Sequence, residues 1–173
     1  TQVAPAGQFY TRLRATGDEL GFEEVRTLTA PAARGIENGP ALVARGRDVF
    51  VAWHEGAFRN EASRRVVVRH SGDGGSTFGP VQQVNPSGTG VCACCGLAAL
   101  LDSRGTLHIA YRAARPDGGR DMILAQLRAF DGDFAQATLD PWELDRCPTA
   151  MASFASSGLS DVVGWETNGE VFY

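Results

Sequence analysis

The sequence predicts an all-β chain made of repeated four-stranded antiparallel sheets, and three observations carry that prediction. First, an apolar strand ending in a large aromatic recurs as Val49-Phe50-Val51-Ala52-Trp53, Leu107-His108-Ile109-Ala110-Tyr111 and Val162-Val163-Gly164-Trp165, at spacings of 58 and 54 residues. Second, an aromatic-led segment recurs every 56 residues: Phe22-x-x-Val25-x-x-Leu28, Phe78-x-x-Val81-x-x-Val84 and Phe134-x-x-Ala137-x-Leu139. Third, no stretch shows the 3.6-residue apolar period of a helix, and the 21 glycines suit short strands joined by tight turns. Four short strands per ~40–50-residue repeat is the pattern of a β-propeller blade.

The elements follow in order. Residues 8–28 read as the third and outer strands of one blade, 39–84 and 96–139 as two whole blades, and 148–173 as the first strands of another. Each repeat opens on a small-residue inner strand: Pro40–Ala44, Leu97–Leu101 and Thr149–Ser153. In the second repeat Val66-Val67-Val68 runs into the turn Ser71-Gly72-Asp73-Gly74-Gly75-Ser76-Thr77-Phe78. Asp73 and Ser71 can bond amides inside such a turn, its glycines permit positive φ, and Phe78 can anchor it to the sheet. Degenerate versions stand at 15–22 and 127–134.

About three blades' worth of chain is present, and propellers usually close with about 4–8. The expectation is half of a six-bladed ring within one partial domain, completed by further chain, a second copy or another subunit. Thr1 is not an initiator Met, so a leader or upstream portion is expected to be missing from view.

The turn Ser71-x-Asp73-x-Gly75-x-Thr77-Phe78 resembles the Asp-box of the sialidase-like, or BNR-repeat, β-propellers. Cys92-Ala93-Cys94-Cys95, Gly105 to Arg112, Arg120-Asp121-Met122 and Trp142 to Cys147-Pro148 look like a bacterial, exported branch of that family, covering the chain from about residue 38 onward. The resemblance implies a periplasmic or secreted protein. It also implies what a sialidase would need: three arginines on a substrate carboxylate, a Tyr nucleophile with a Glu partner, and an Asp acid/base. By type these are Arg112, Arg115 and Arg120 for the clamp, Tyr111 or Tyr10 with Glu55 or Glu166, and Asp121. The family's early Arg-Ile-Pro signature is absent; Phe9-Tyr10-Thr11-Arg12-Leu13 is its nearest echo. Tyr111 aligns with Trp53 and Trp165, which favours a blade-packing role. The Asp-box marks architecture, since it also occurs in propellers that cleave nothing.

Connections in a four-stranded meander alternate between two ends, so the Asp-box lies opposite the loops joining strands two and three. That places His54, Glu55, Arg59, Arg112, Arg115, Asp117, Arg120, Asp121, Glu166 and Asn168 on the expected binding face. The segments between blades add Glu37, Asn38, Trp142, Glu143, Asp145 and Arg146 to it. Arg120 with Asp121 reads as a blade-to-blade lock, His108 as a packing residue, His54 as a loop histidine and His70 as part of the turn side.

Asn38, Cys95 and Cys147 fall at equivalent positions entering inner strands. Cys92, Cys94, Cys95 and Cys147 are preferred as two disulfides, one stapling neighbouring blades through Cys147, with three connectivities open. The alternatives are a thiolate metal site made of the same four residues, or free thiols. A net charge of −4, with all 16 basic residues Arg, gives no reason to expect nucleic acid, and no run of ~20 apolar residues suggests a membrane span. No cofactor is expected. The reading reached is a non-catalytic, extracytoplasmic module that holds a partner protein or glycan. A sialidase-like glycoside hydrolase is the alternative, and a thiolate metal-binding propeller a further one.

Overall fold

The computed structural model describes residues 7–29, 39–57, 60–144 and 146–173, and these are all-β. Among them there is no α-helix, only one 3-10 turn, η1, at Glu61–Ser63. The first strands, β1 (Phe9–Tyr10), β2 (Leu13–Thr16), β3 (Glu19–Phe22) and β4 (Arg26–Thr27), form a bent hairpin: β1 pairs with β4, and β2 with β3. A four-stranded antiparallel sheet follows, β5 (Ala41–Arg45), β6 (Asp48–Glu55), β7 (Arg65–Ser71) and β8 (Gln82–Gln83), in sequential order. The next sheet runs β10 (Ala98–Leu101), β11 (Leu107–Ala114), β12 (Met122–Leu127) and β13 (Ala135–Asp140), with β9 (Gly90–Val91) pairing on the far end of β11. A three-stranded sheet of β14 (Ala152–Ser156), β15 (Asp161–Thr167) and β16 (Glu170–Phe172) ends the chain. Among the described residues no sheet closes on itself.

The apolar runs of β6 and β11 are continuous because these two strands are buried on both faces. Along β6, Phe50 and Ala52 point into one core with Val66, Val68, Leu107, Ile109 and Tyr111, while Val51 and Trp53 point into another with Leu28 and Val67. The β5–β8 sheet is thus packed between the first hairpin and the β10–β13 sheet. Along β11, Leu107, Ile109 and Tyr111 face the first of these cores, whereas Arg112 on the opposite face reaches the β14–β16 sheet. Phe50, Leu107, Ile109 and Leu127 are each at most 1% exposed, and burying such a side chain is worth about 1.5–3 kcal/mol. The first strands of successive sheets lie side by side, β5 near β10 and β10 near β14.

The turn at 71–78 is held as its residue types predict. The Ser71 hydroxyl donates to Asp73 Oδ1 (2.7 Å) and accepts from the Gly75 amide (2.8 Å). Asp73 accepts from the Thr77 amide (2.8 Å) and hydroxyl (2.7 Å), which together hold its carboxyl far below the usual range. Gly75 sits at φ 80°, and a Cβ there would lie 2.0 Å from the Tyr10 hydroxyl, so the site needs glycine on both counts. Phe78 meets Tyr10 edge-on at 4.9 Å. Arg12 donates to Gly74 O and Ser76 Oγ, both at 2.8 Å, and Arg26 donates to Gly75 O and Ser76 O. The turn is therefore the dock for the first hairpin.

The outer strand after this turn is shorter than the spacing Phe78-x-x-Val81-x-x-Val84 suggests. Gln82–Gln83 pair with β7 as a strand, flanked by single bonds from the Gly79 amide to the His70 carbonyl (2.8 Å) and from the Val84 amide to the Val66 carbonyl (2.9 Å). Pro80 lacks an amide proton to contribute to a ladder, and Phe78 is used as the anchor instead.

Candidate functional site

Strand β7 runs from Arg65 at one end of its sheet to Ser71, where the Asp-box-like turn begins. The described polar residues expected to form a binding face lie at the Arg65 end, together with η1, β9 and the cysteines. The structure spends most of them on internal ties.

Arg112 is 0% exposed. Its Nη1 donates to the Arg120 carbonyl (2.9 Å), and Nη2 donates to the Glu166 carbonyl (2.6 Å) and the Thr167 hydroxyl (3.1 Å). The guanidinium carbon stands 5.0 Å from the Trp142 ring centroid, in a cation–π contact. Burial alone lowers its pKa, since desolvation disfavours the cation. Among the described residues no carboxylate forms an ion pair with it. Arg112 thus joins β11 to β15 and faces protein oxygens on every bonded side.

Arg120 and Asp121 do not pair with each other. Arg120 donates to Glu61 Oε2 (2.7 Å) in η1, linking two sheets, while Asp121 accepts both contacts of Arg115 Nη1 (3.1 and 2.9 Å) and the Trp142 amide (3.1 Å). Arg115 also donates to Asp117 (2.9 Å) and to Glu143. These three carboxylates, Asp117 first, raise its pKa and saturate its fork. The three arginines expected as a clamp therefore diverge into separate contacts.

Tyr111 is 2% exposed and donates its hydroxyl to Gln136 Oε1 (3.0 Å); burial pushes its pKa up. That is the reverse of what an activated phenolic nucleophile requires. Glu166 accepts from the Gly169 amide (2.5 Å) in the β15–β16 turn, and Glu55 pairs with Arg65 (2.7 Å), so neither carboxylate bonds Tyr111. Tyr10 lies at the opposite end, by the Asp-box-like turn. His54 is 1% exposed, both ring nitrogens lack a partner, and burial with Arg64 nearby lowers its pKa to about 4. It is a buried neutral imidazole rather than the loop histidine expected. His108 bridges Asp102 (3.1 Å) and Gln126 (3.1 Å), and His70 bonds Asp48 (2.8 Å). Asn168 holds φ 55° in the β15–β16 turn. Glu37, Asn38, Arg59 and Asp145 fall outside the described residues.

Beside this network lies a cleft of about 520 Å³ whose walls include Pro86, Thr89, Tyr111, Ala113, Pro116 and Ile123. Its walls are mostly carbon, and Arg115, Asp117 and Asp121 line it already bonded to one another.

The four cysteines converge. Cys92–Cys95 forms a turn after β9, closed by the Cys95 amide on the Cys92 carbonyl (3.2 Å), and Cys147 arrives from the segment before β14. Cys94 and Cys147 are joined by a disulfide, which ties the segments that lead into β10 and β14. The second expected bridge is not formed: Cys92 and Cys95 are free, buried thiols. Cys92 Sγ lies 3.2 Å from Cys94 Sγ, 3.4 Å from Cys95 Sγ and 3.8 Å from Cys147 Sγ. The hydrogen bond from Cys95 holds the Cys92 thiol down at about 7, with Arg120 adding to it, and the same contact pushes Cys95 up. All four sulfurs lie within 4.8 Å of one another, a donor set able to hold a thiophilic ion.

Sequence reasoning missed Glu61, Gln136 and Thr167, the partners of Arg120, Tyr111 and Arg112. None sits in a motif or at a repeat position, so no sequence signal marked them. No protein-family model matches the chain, and no curated protein matches it.

Proposed function

We propose that the chain is part of a sialidase-like, Asp-box β-propeller that works as a non-catalytic, extracytoplasmic binding or assembly module. The observation that carries this reading is the occupation of the arginines. A carboxylate clamp needs unpaired guanidiniums converging on one point, and Arg112, Arg115 and Arg120 are each bonded to different protein groups. The tightly turned box at 71–78 and the side-by-side approach of β5, β10 and β14 support the propeller assignment. The Cys94–Cys147 disulfide supports an oxidising compartment.

The cleft beside Tyr111 offers mostly apolar walls and no unpaired cation, which suits an apolar segment of a partner protein better than a hydroxyl-rich glycan. The outer flanks also favour assembly. Leu20 and Phe22 on the first hairpin, and Val171 and Tyr173 on the last sheet, are at least 71% exposed, where further blades would cover them.

The test is turnover of a fluorogenic sialoside and of a panel of other fluorogenic glycosides by the whole chain. No turnover above buffer is expected. Saturable hydrolysis that disappears in Arg115→Ala would overturn the non-catalytic reading and return the arginines to a substrate role.

A further inference from the structure

Four cysteine sulfurs from two separate segments, the 92–95 turn and Cys147, meet at one point, and the disulfide uses only two of them. A tetrahedral ion with sulfur ligands at about 2.3 Å sets those sulfurs roughly 3.8 Å apart. The three distances from Cys92 Sγ, 3.2, 3.4 and 3.8 Å, are already near that edge, and no pair exceeds 4.8 Å. The donor set is all sulfur, which selects a thiophilic ion over Mg²⁺ or Ca²⁺.

The surroundings point the same way. Zn²⁺ held by four thiolates carries a net charge of about −2, which a protein interior must compensate. Arg120 acts electrostatically on Cys92, opposed by its partner Glu61, and Arg112 acts on Cys95. Both guanidiniums are at most 5% exposed and keep a buried Nε–H with no hydrogen-bond partner, and Arg112 has no ion-pair partner among the described residues. Arg112, a buried cation without a carboxylate partner among the described residues, and Arg120, whose charge is shared with Glu61, supply positive charge and unused Nε–H donors to an anionic metal–thiolate centre.

We propose that, with the Cys94–Cys147 bond reduced, Cys92, Cys94, Cys95 and Cys147 form a tetrahedral four-thiolate site for one zinc-class ion. Reduction by a dithiol breaks the sulfur–sulfur bond. Two electrons and two protons pass to Cys94 and Cys147, and the dithiol becomes its own disulfide. The ion then displaces the remaining thiol protons to solvent. Exchange with an external disulfide, which takes two electrons from Cys94 and Cys147 and leaves as two thiols after gaining two protons from solvent, re-forms their bond. This removes two ligands and releases the ion, so the disulfide and the ion are alternative ties at the same junction between β10 and β14. The inference is independent of the binding role proposed above, since glycoside turnover has no bearing on it.

The experiment titrates the whole chain with Co²⁺, after anaerobic reduction by a dithiol and removal of the excess. Saturation at one Co²⁺ per chain is expected, with the strong visible absorption of tetrahedral cobalt and near-ultraviolet sulfur-to-cobalt charge transfer, both abolished by added Zn²⁺. Cys147→Ser, which alters the one exposed ligand, should weaken binding by about tenfold or more. The same protein with its disulfide intact should bind none. A reduced wild-type chain that takes up no Co²⁺, or gives only the pale spectrum of an octahedral ion, overturns the proposal. So does a folded Cys147→Ser variant with unchanged spectrum and affinity. Should that variant lose its far-ultraviolet strand signal, loss of cobalt from the wild-type chain on reoxidation supports the site, and retention refutes it.

Discussion

Arg112→Ala is expected to destabilise the fold by on the order of 3–5 kcal/mol, measured by urea denaturation at neutral pH. The side chain donates to the carbonyls of Arg120 and Glu166 and to the Thr167 hydroxyl, and it lies over Trp142. Truncation withdraws donors from the buried Arg120 carbonyl and Thr167 hydroxyl and from the half-buried Glu166 carbonyl, and leaves a void between β11 and β15. Hydrogen bonds to a charged group are worth about 1.5–3 kcal/mol each, and they are not additive. Arg112→Lys is expected to lose most of the same stability, because an ammonium cannot reproduce the planar fork that spans two sheets. A residue poised to clamp a ligand would behave differently: its removal would leave folding intact and change only binding. Arg104→Ala, at an exposed turn, serves as the control and should stay within about 0.5 kcal/mol of the wild type.

Stability should also fall steeply in mild acid because of His54. The unfolded imidazole titrates near 6.5, whereas burial lowers the folded value to about 4. Between those values the unfolded chain binds a proton that the folded chain does not. The contribution of His54 is therefore fully present above pH 6.5 and is lost as pH falls towards 4. Across that window the loss is on the order of 3 kcal/mol. Its two unpartnered ring nitrogens and the nearby Arg64 both oppose protonation. His54→Leu should flatten the dependence of unfolding free energy on pH in this window, while the Asp73 contribution, from a carboxyl held far lower, is present throughout it and is lost only at more acid pH. An identical slope in wild type and His54→Leu would show that another group is responsible.

The all-β, antiparallel character was legible in the sequence because the signals behind it are local. Trp53, Tyr111 and Trp165 stand on β6, β11 and β15, and the unbroken apolar run at Val49–Trp53 reflects burial on both faces of β6. The turn at 71–78 was legible for the same reason: the side chains of Ser71, Asp73 and Thr77 bond to one another or to nearby backbone. What escaped was long range. Arg120 and Glu61 are separated by 59 residues, and Arg112 and Thr167 by 55. Nothing in either residue's neighbourhood shows that its charge is buried, so arginines that read as a binding face turned out to be joints between sheets. The cysteines stood between the two cases. Their convergence followed from the repeat, since Cys95 and Cys147 occupy equivalent positions. The pairing did not follow, because three sulfurs crowd within 3.8 Å of Cys92.

The claim that the arginines tie sheets together is tested most directly by amide hydrogen exchange in Arg112→Ala. The largest increase in exchange is predicted across β14, β15 and β16, with a smaller one in β6 and β7. Exchange unchanged in β14–β16 would contradict the account, because it would mean that Arg112 does not hold that sheet to β11.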